Sequence, residues 1–436
     1  EGKKMRKNKV TKLMTGMLAA SMLLSMTADV FATGEQTTIS LYTTLPGKDA
    51  EFEALIAEFM EKNPDINVDY IAYDSGEKQK WMSLYASGEA PNVSIMDAVD
   101  IMDNQENMLA YDPEELGWMS EVDSTYLDVF KGDDGQIYGI PDTVQAMGLL
   151  YNKTTIEKAT GETFDPSTIK TIDDLEALFQ KIQDGGVSPA MFTGVDWSLG
   201  SHFLSQVFTG IRGDAEAQKS YIEDVKAGNV DLKADEGWNN VMDLFDLIAK
   251  YNYNSADPLV GNTDVDGQAM AEGKVAMWFM GDWGWDYIKE VATGDDEYGV
   301  MACPLTHNAE DAINQQLGVF TAKGFCIDAS QSSEAEQEAS KRFVEFLCFG
   351  NQQALADLVG VAIPFKNANV TYSSPIIQST QSYIESGSTY STYAFSRLLP
   401  SDFWSENGAT MQQYLAGQCS REDAANAIQA YWESQN

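Results

Sequence analysis

From Thr38 to Met96 the hydrophobic pattern switches repeatedly between the strand period and the helix period, and this alternation limits the folds open to the chain. Ile39, Leu41 and Thr43 alternate as a strand, after which Phe52, Leu55, Ile56, Phe59 and Met60 recur at helical spacing until Asn63-Pro64. Ile66, Val68 and Tyr70 alternate again, a helix is predicted over Lys78 to Ala86 with Gly88 at its end, and Val93 to Met96 reads as a third strand. Three strands joined by two helices require a parallel sheet with helices on its faces, so the fold class is α/β. Ligands in such sheets bind beyond the carboxyl ends of the strands. That rule selects Thr43 to Lys48, Asp97 to Asp100 and the turn at Trp283.

Further along, Gly139-Ile140-Pro141 and Ala146 to Asn152 read as one strand continuing past a bend. Thr171 to Asp174 has the form of a capping box opening a helix with Leu175, Leu178, Phe179 and Ile182 on one face. A second strong helix is predicted over Glu236 to Tyr251, with Trp238, Val241, Phe245 and Ile248 inward. Strands follow at Tyr298 to Met301 and Gly318 to Ile327, then helices over Glu334 to Phe349 and Asp423 to Trp432. Between Gly273 and Tyr287 an apolar run stops at Gly281-Asp282-Trp283-Gly284-Trp285, which presents two indoles where a buried strand ends. Indoles are large core residues as well as pocket walls, because they join a broad apolar face to a polar tip.

The ends and the charge bound the class. Basic residues Arg6 to Lys12, an apolar stretch from Leu13 to Leu24 and the tripeptide Val30-Phe31-Ala32 form a secretory leader over residues 1–32. The stretch is shorter than the roughly 20 residues a spanning helix needs. A soluble, extracytoplasmic protein is expected, in a periplasm, the medium or at the cell surface. Asp29 follows Ala28 where a lipid-anchored protein would place a cysteine, so no lipid anchor is expected. Without the leader, 22 basic residues face 65 acidic ones. That field repels nucleic acid and anionic lipid. About 400 residues exceed what one core supports, so two lobes are expected.

Several chemistries lack material. Cys303, Cys326, Cys348 and Cys419 are too widely spaced for a disulfide scaffold or zinc site, and Cys326 and Cys348 sit in apolar runs as buried thiols. With His202 and His307 the only histidines, a Ser-His-Asp triad or histidine-rich metal centre has little material to draw on, and His202 reads as a polar residue near a helix start. Asn262 to Gly267 begins like a calcium loop, but Gly273 stands where its bidentate Glu belongs, leaving helix capping as the reading. No phosphate-cradling or dinucleotide fingerprint occurs. No metal, cofactor or catalytic residue is assigned.

Five segments in order, EFMEKNPDINV, SGEAPNVSIMD, DGQIYGIP running into MGLLYNK, AMAEGKVAMWFMGDWGW and QQYLAGQCSREDAANAIQAYW, resemble the family 1 extracellular solute-binding proteins of ABC sugar importers, the maltose-binding protein type. The resemblance spans nearly all of residues 36–436. It implies the periplasmic-binding-protein-like fold: two α/β lobes, 36–145 with 319–368 and 146–318 with 369–436, joined by hinge crossings near Gln145 to Gly148 and Gly318 to Thr321, with the ligand between them. It also implies sugar-contacting positions: Trp283 and Trp404 as stacking platforms, Asp97 and Asp100 after the third strand, Lys48 after the first, Gln145 at a crossing, and Asp196 with Trp197 in the second lobe. Asp282 and Trp285 complete the turn, Trp285 as the residue that holds it. Met96 and Gln145 depart from the pattern, standing where a maltodextrin binder would have Trp and an acidic residue.

These readings lead to a monomeric, non-enzymatic binding protein that captures a neutral carbohydrate, an oligosaccharide, and passes it to an ABC permease. A secreted glycosidase using cleft aspartates and a binder of a glycerol-phosphate-type solute are the alternatives. The first requires a catalytic carboxylate pair and the second a basic cleft.

Overall fold

The predicted alternation is present: β1 (Thr37–Thr43), β2 (Ile66–Ile71) and β3 (Val93–Asp97) are separated by helices Asp49–Lys62 and Glu77–Ser87. The structure is a computed structural model and describes residues 36–435 apart from 46, 73–76 and 401. The leader read at residues 1–32 lies outside the described residues.

Eight further strands follow: β4 (Ile140–Pro141), β5 (Gln145–Asn152), β6 (Ser188–Met191), β7 (Val275–Gly281), β8 (Tyr298–Met301), β9 (Leu317–Phe320), β10 (Lys323–Ile327) and β11 (Thr389–Ser391). They form two sheets, and so two lobes. The first has the order β2-β1-β3-β10-β4, with β1 parallel to β2 and β3 and with β10 antiparallel to both its neighbours. The second has the order β11-β9-β5-β7-β6, and β8 shares with β9 the other edge of β5. Both sheets are covered on both faces. Ile39, Leu41, Phe52, Phe59 and Phe343 pack on one side of the first while Tyr42, Trp81 and Phe130 pack on the other. β7 is buried along its whole length, as expected of a central strand between two apolar layers.

Two expected strands are each divided between the sheets. The bend read after Pro141 is a crossing: β4 pairs with β10 in the first sheet, whereas β5 is the centre of the second. Likewise the run Gly318 to Ile327 breaks at Thr321-Ala322, leaving β9 in the second sheet and β10 in the first. Continuous extended backbone gives no local sign of which sheet each half joins. The crossings touch: the Thr321 hydroxyl donates to the Thr143 carbonyl at 3.0 Å, and the Val144 N–H donates to the returning chain at Ala362 at 2.8 Å.

The helical readings hold with small shifts at their ends. Thr171 caps Ile172–Asp184 by accepting from the Asp174 N–H at 3.0 Å, but the Asp174 carboxylate reaches back to the Lys170 N–H, one residue before the cap. Helix Glu334–Glu345 opens with a reciprocal box between Ser333 and Glu336 and continues as a π-turn over Phe346–Gly350. Asn262 caps helix Thr263–Ala271, and Asp266 turns inward to accept from the Thr193 hydroxyl at 2.7 Å. All four cysteines are free, and Cys303, Cys326 and Cys348 are buried. Burial pushes the Cys326 thiol up to about 12. Among the described residues no helix is long and apolar enough to cross a membrane.

Candidate functional site

The third strand ends at Asp97, and the chain turns at once into helix Ala98–Asp103, which sets Asp97 and Asp100 at the carboxyl edge of the first sheet. Each has a lysine partner. Lys323 Nζ donates to Asp97 Oδ1 at 2.7 Å, and Lys78 pairs with Asp100. Burial pushes the Asp100 carboxyl up, and Lys78 opposes that shift. Lys78, Asp97 and Asp100 form one wall of a 340 Å³ cleft whose opposite wall is Ser201, Phe395, Leu399, Pro400, Phe403 and Trp404 from the second lobe. Trp404 is 43% exposed, the one aromatic among the large apolar side chains standing out from the surface of the described residues. An unpaired indole face in a cleft is an available stacking surface.

Sequence reasoning missed Lys78 and Lys323, which look like ordinary surface charges, and Phe395 and His202, whose importance comes from packing. His202 lies in the π-helix Trp197–Phe203, a form often found at functional sites. Its ring meets Trp197, Trp283 and Phe395 edge-on at 5.1, 5.2 and 5.7 Å, and burial pushes the imidazole down to about 3, so it is neutral at physiological pH. Trp283 and Phe395 also meet Phe320 at the end of β9, and Gln145 pairs with Phe320 across the sheet. Trp283 therefore belongs to an aromatic layer beneath Phe395, and it is half-buried.

Close backbone packing sets this geometry. The Trp283 ring folds back over Gly281, and any Cβ there would overlap it. Gly281→Ala is therefore expected to displace the ring and cost about 1–3 kcal/mol, read as a lower urea midpoint. Equal midpoints would mean that the ring moves freely. The π-helix crosses helix Phe403–Leu415 at Gly200 and Gly408, where a Cβ on Gly408 would lie 2.6 Å from the Asp196 carbonyl. Asp196 is thereby fixed against Gly408, one turn from Trp404, with its Oδ1 accepting from the Trp197 N–H at 2.8 Å; neither Asp196 nor Trp197 lines the cleft itself.

Other sequence candidates lie apart from the cleft. Lys48 and Trp285 line a separate 240 Å³ cavity with Asp286, Lys289 and Tyr372. Asp282 is fully buried under the turn, where its Oδ2 accepts from the Thr380 hydroxyl at 3.1 Å. Burial pushes this carboxyl up to about 7, against the lowering influence of the Ala146 N–H and Thr380. The folded state holds the proton more tightly than the unfolded chain, so this group's contribution to stability is largest below about pH 4 and is lost as pH rises to about 7. Asp282→Asn is expected to flatten that part of the pH–stability curve, a term of at most about 4 kcal/mol. Urea unfolding at pH 4 and pH 8 checks this, and an unchanged slope would refute it.

Residues 54–380 match the model of the bacterial extracellular solute-binding proteins. The chain belongs to that family. An uncharacterized ABC transporter extracellular-binding protein of Pyrococcus horikoshii is 24% identical over 315 residues, 67% of this chain and 69% of the relative. Among solved structures, a family 1 extracellular solute-binding protein from Bifidobacterium longum subsp. infantis superposes with a TM-score of 0.70 at 20% identity, covering 92% of this chain and all of the other. A sugar transporter from Bacillus licheniformis, in complex with stachyose, gives 0.67 at 17% identity, with 92% and 100% covered. A solute-binding protein of this family is a binding component of transport, and a two-lobed α/β architecture is the fold this chain shares with these structures.

Proposed function

We propose that this chain captures a neutral oligosaccharide outside the cytoplasm and delivers it to the permease of an ABC importer. One observation carries the reading. In a strongly acidic chain, the cleft sets a free indole face, Trp404, opposite two carboxylates that are each balanced by a lysine. A phosphate-type ligand needs surplus positive charge and a cationic ligand surplus negative charge. A balanced wall offers instead charge-assisted hydrogen bonds to hydroxyls. The stachyose complex of the Bacillus licheniformis neighbour and the ABC transporter name of the Pyrococcus relative support this assignment.

In this mechanism the sugar stacks on Trp404 and hydrogen-bonds to Asp97 and Asp100, with Trp197, Trp283 and His202 keeping the second-lobe wall rigid. Asp196 and Gln145 lie behind it; Asp282 fixes the turn, and Lys48 and Trp285 face a separate cavity. The first lobe comprises residues 36–145 and 319–368, less Gln145 and Val319 to Phe320, which pair in the second sheet, and the second comprises 146–318 and 369–436, with the leader over 1–32 directing export of a monomer. Ligand touching both lobes favours the closed form by its differential affinity, through movement about residues 142–144 and 321–322. Micromolar affinity, about −8 kcal/mol, suffices for capture and still permits release.

A thermal-shift screen with di- to pentasaccharides tests the reading, since a ligand at 100 times its Kd adds about 2.7 kcal/mol to apparent stability. The expected result is a raised Tm with at least one neutral oligosaccharide and none with glycerol 3-phosphate. The reverse pattern would replace the carbohydrate reading with the phosphate one, and product formation from the bound sugar would replace it with a hydrolase.

A further inference from the structure

Two neutral polar side chains line the cleft from opposite lobes, Gln79 from the first and Ser201 from the second. Neither side chain takes part in a hydrogen bond among the described residues, and with Gln79 exposed and Ser201 half-buried both stay open to a partner.

Local structure places them. Gln79 follows Lys78 in the first turn of helix Glu77–Ser87, and the pairing of Lys78 with Asp100 sets that turn beside the carboxyl edge of the first sheet. Ser201 follows Gly200 in the π-helix, where a Cβ on Gly200 would lie 2.7 Å from the Trp404 carbonyl. The serine is thereby held at a fixed distance from the backbone that carries the indole.

The other polar groups of the cleft are committed to one sense of hydrogen bond. Asp97 and Asp100 can only accept, and each already faces a lysine that can only donate. The wall of Phe395, Leu399, Pro400, Phe403 and Trp404 is apolar, and its side chains offer a ligand no more than the indole N–H. A sugar hydroxyl both donates and accepts. Among the lining side chains, the amide of Gln79 and the hydroxyl of Ser201 are the groups that do the same.

We propose that Gln79 and Ser201 determine which sugar the cleft accepts, by reading the orientation of ring hydroxyls from both sides, while Trp404 supplies affinity common to all bound sugars. This rests on the carbohydrate reading above. Apolar walls separate similar ligands weakly, whereas a polar group that a misplaced hydroxyl leaves unpaired costs on the order of tenfold in affinity. Since one group belongs to each lobe, a ring bonded to both ties the lobes together, and the discrimination falls on the closed form.

Calorimetry on the full chain tests this with raffinose, stachyose and two pairs that differ at a single hydroxyl, lactose with cellobiose and melibiose with isomaltose. In Gln79→Ala and in Ser201→Ala the tightest ligand is expected to lose about five- to tenfold in affinity and the weaker ones threefold or less, so that the preference narrows while Tm stays at the wild-type value. Trp404→Ala is expected to weaken every bound member and leave the preference as it was. Equal losses across the panel in the Gln79 and Ser201 variants would overturn the inference, as would an unchanged preference. If Trp404→Ala weakens binding while neither of the other variants alters the preference, the assignment of Gln79 and Ser201 falls and the carbohydrate reading stands. Absence of binding by any glycan overturns both.

Discussion

Trp404→Ala is expected to lower affinity for the bound sugar by roughly 30-fold, about 2 kcal/mol, while leaving Tm nearly unchanged. The two effects separate because the indole is 43% exposed and belongs to no apolar core, so its removal opens no cavity. Aromatic anchors in the centre of a recognition surface carry a disproportionate share of binding energy. Calorimetry and a melting curve on the same sample decide the matter. Full affinity in the variant would move the stacking role to another aromatic, and a large drop in Tm would show that the side chain is structural.

The second large effect falls on stability. Gly200→Val is expected to destabilise the protein by about 3 kcal/mol or more, because the added side chain would meet the backbone of Gly408 and the Trp404 carbonyl. A clash with a flexible side-chain tip can relax, but here both helices must separate. Sugar binding should fall with stability, since that crossing seats the backbone of Trp404 and sets Ser201 beside it in the cleft wall. A variant that unfolds at the wild-type urea midpoint and binds normally would show that the helices have slack at this point.

Legibility in the sequence followed the range of the forces involved. The first three strands, the β8 strand at Tyr298 to Met301 and the helix beginning at Glu236 were readable because periodicity and capping act over a few residues. Periodicity alone did not show the divisions between β4 and β5 and between β9 and β10, because pairing partners about 175 to 226 positions away decide them; only the family resemblance placed crossings there, within a few residues. At the site, Asp97, Asp100 and Trp404 come together in one cleft. Lys78, Lys323 and Phe395 were invisible because an ion pair or a ring contact is a property of two distant segments. The Trp283 turn shows the converse: a conspicuous motif buries Asp282, lays Trp283 beneath the wall against His202 and Phe320, and turns Trp285 to a separate cavity.

The insertion of β10 between β3 and β4 has a consequence for the order of events during synthesis. A nascent chain that has not reached Lys323 owns four strands of its first sheet but lacks the one that joins the fourth to the rest, so this lobe stays open with an unsatisfied edge. Contacts so distant in sequence form slowly. The delay leaves the first lobe unfinished until most of the chain has been made. Arrested chains ending before Lys323 should be cleaved readily by protease within residues 37–141, and chains extending past Gly350 should resist.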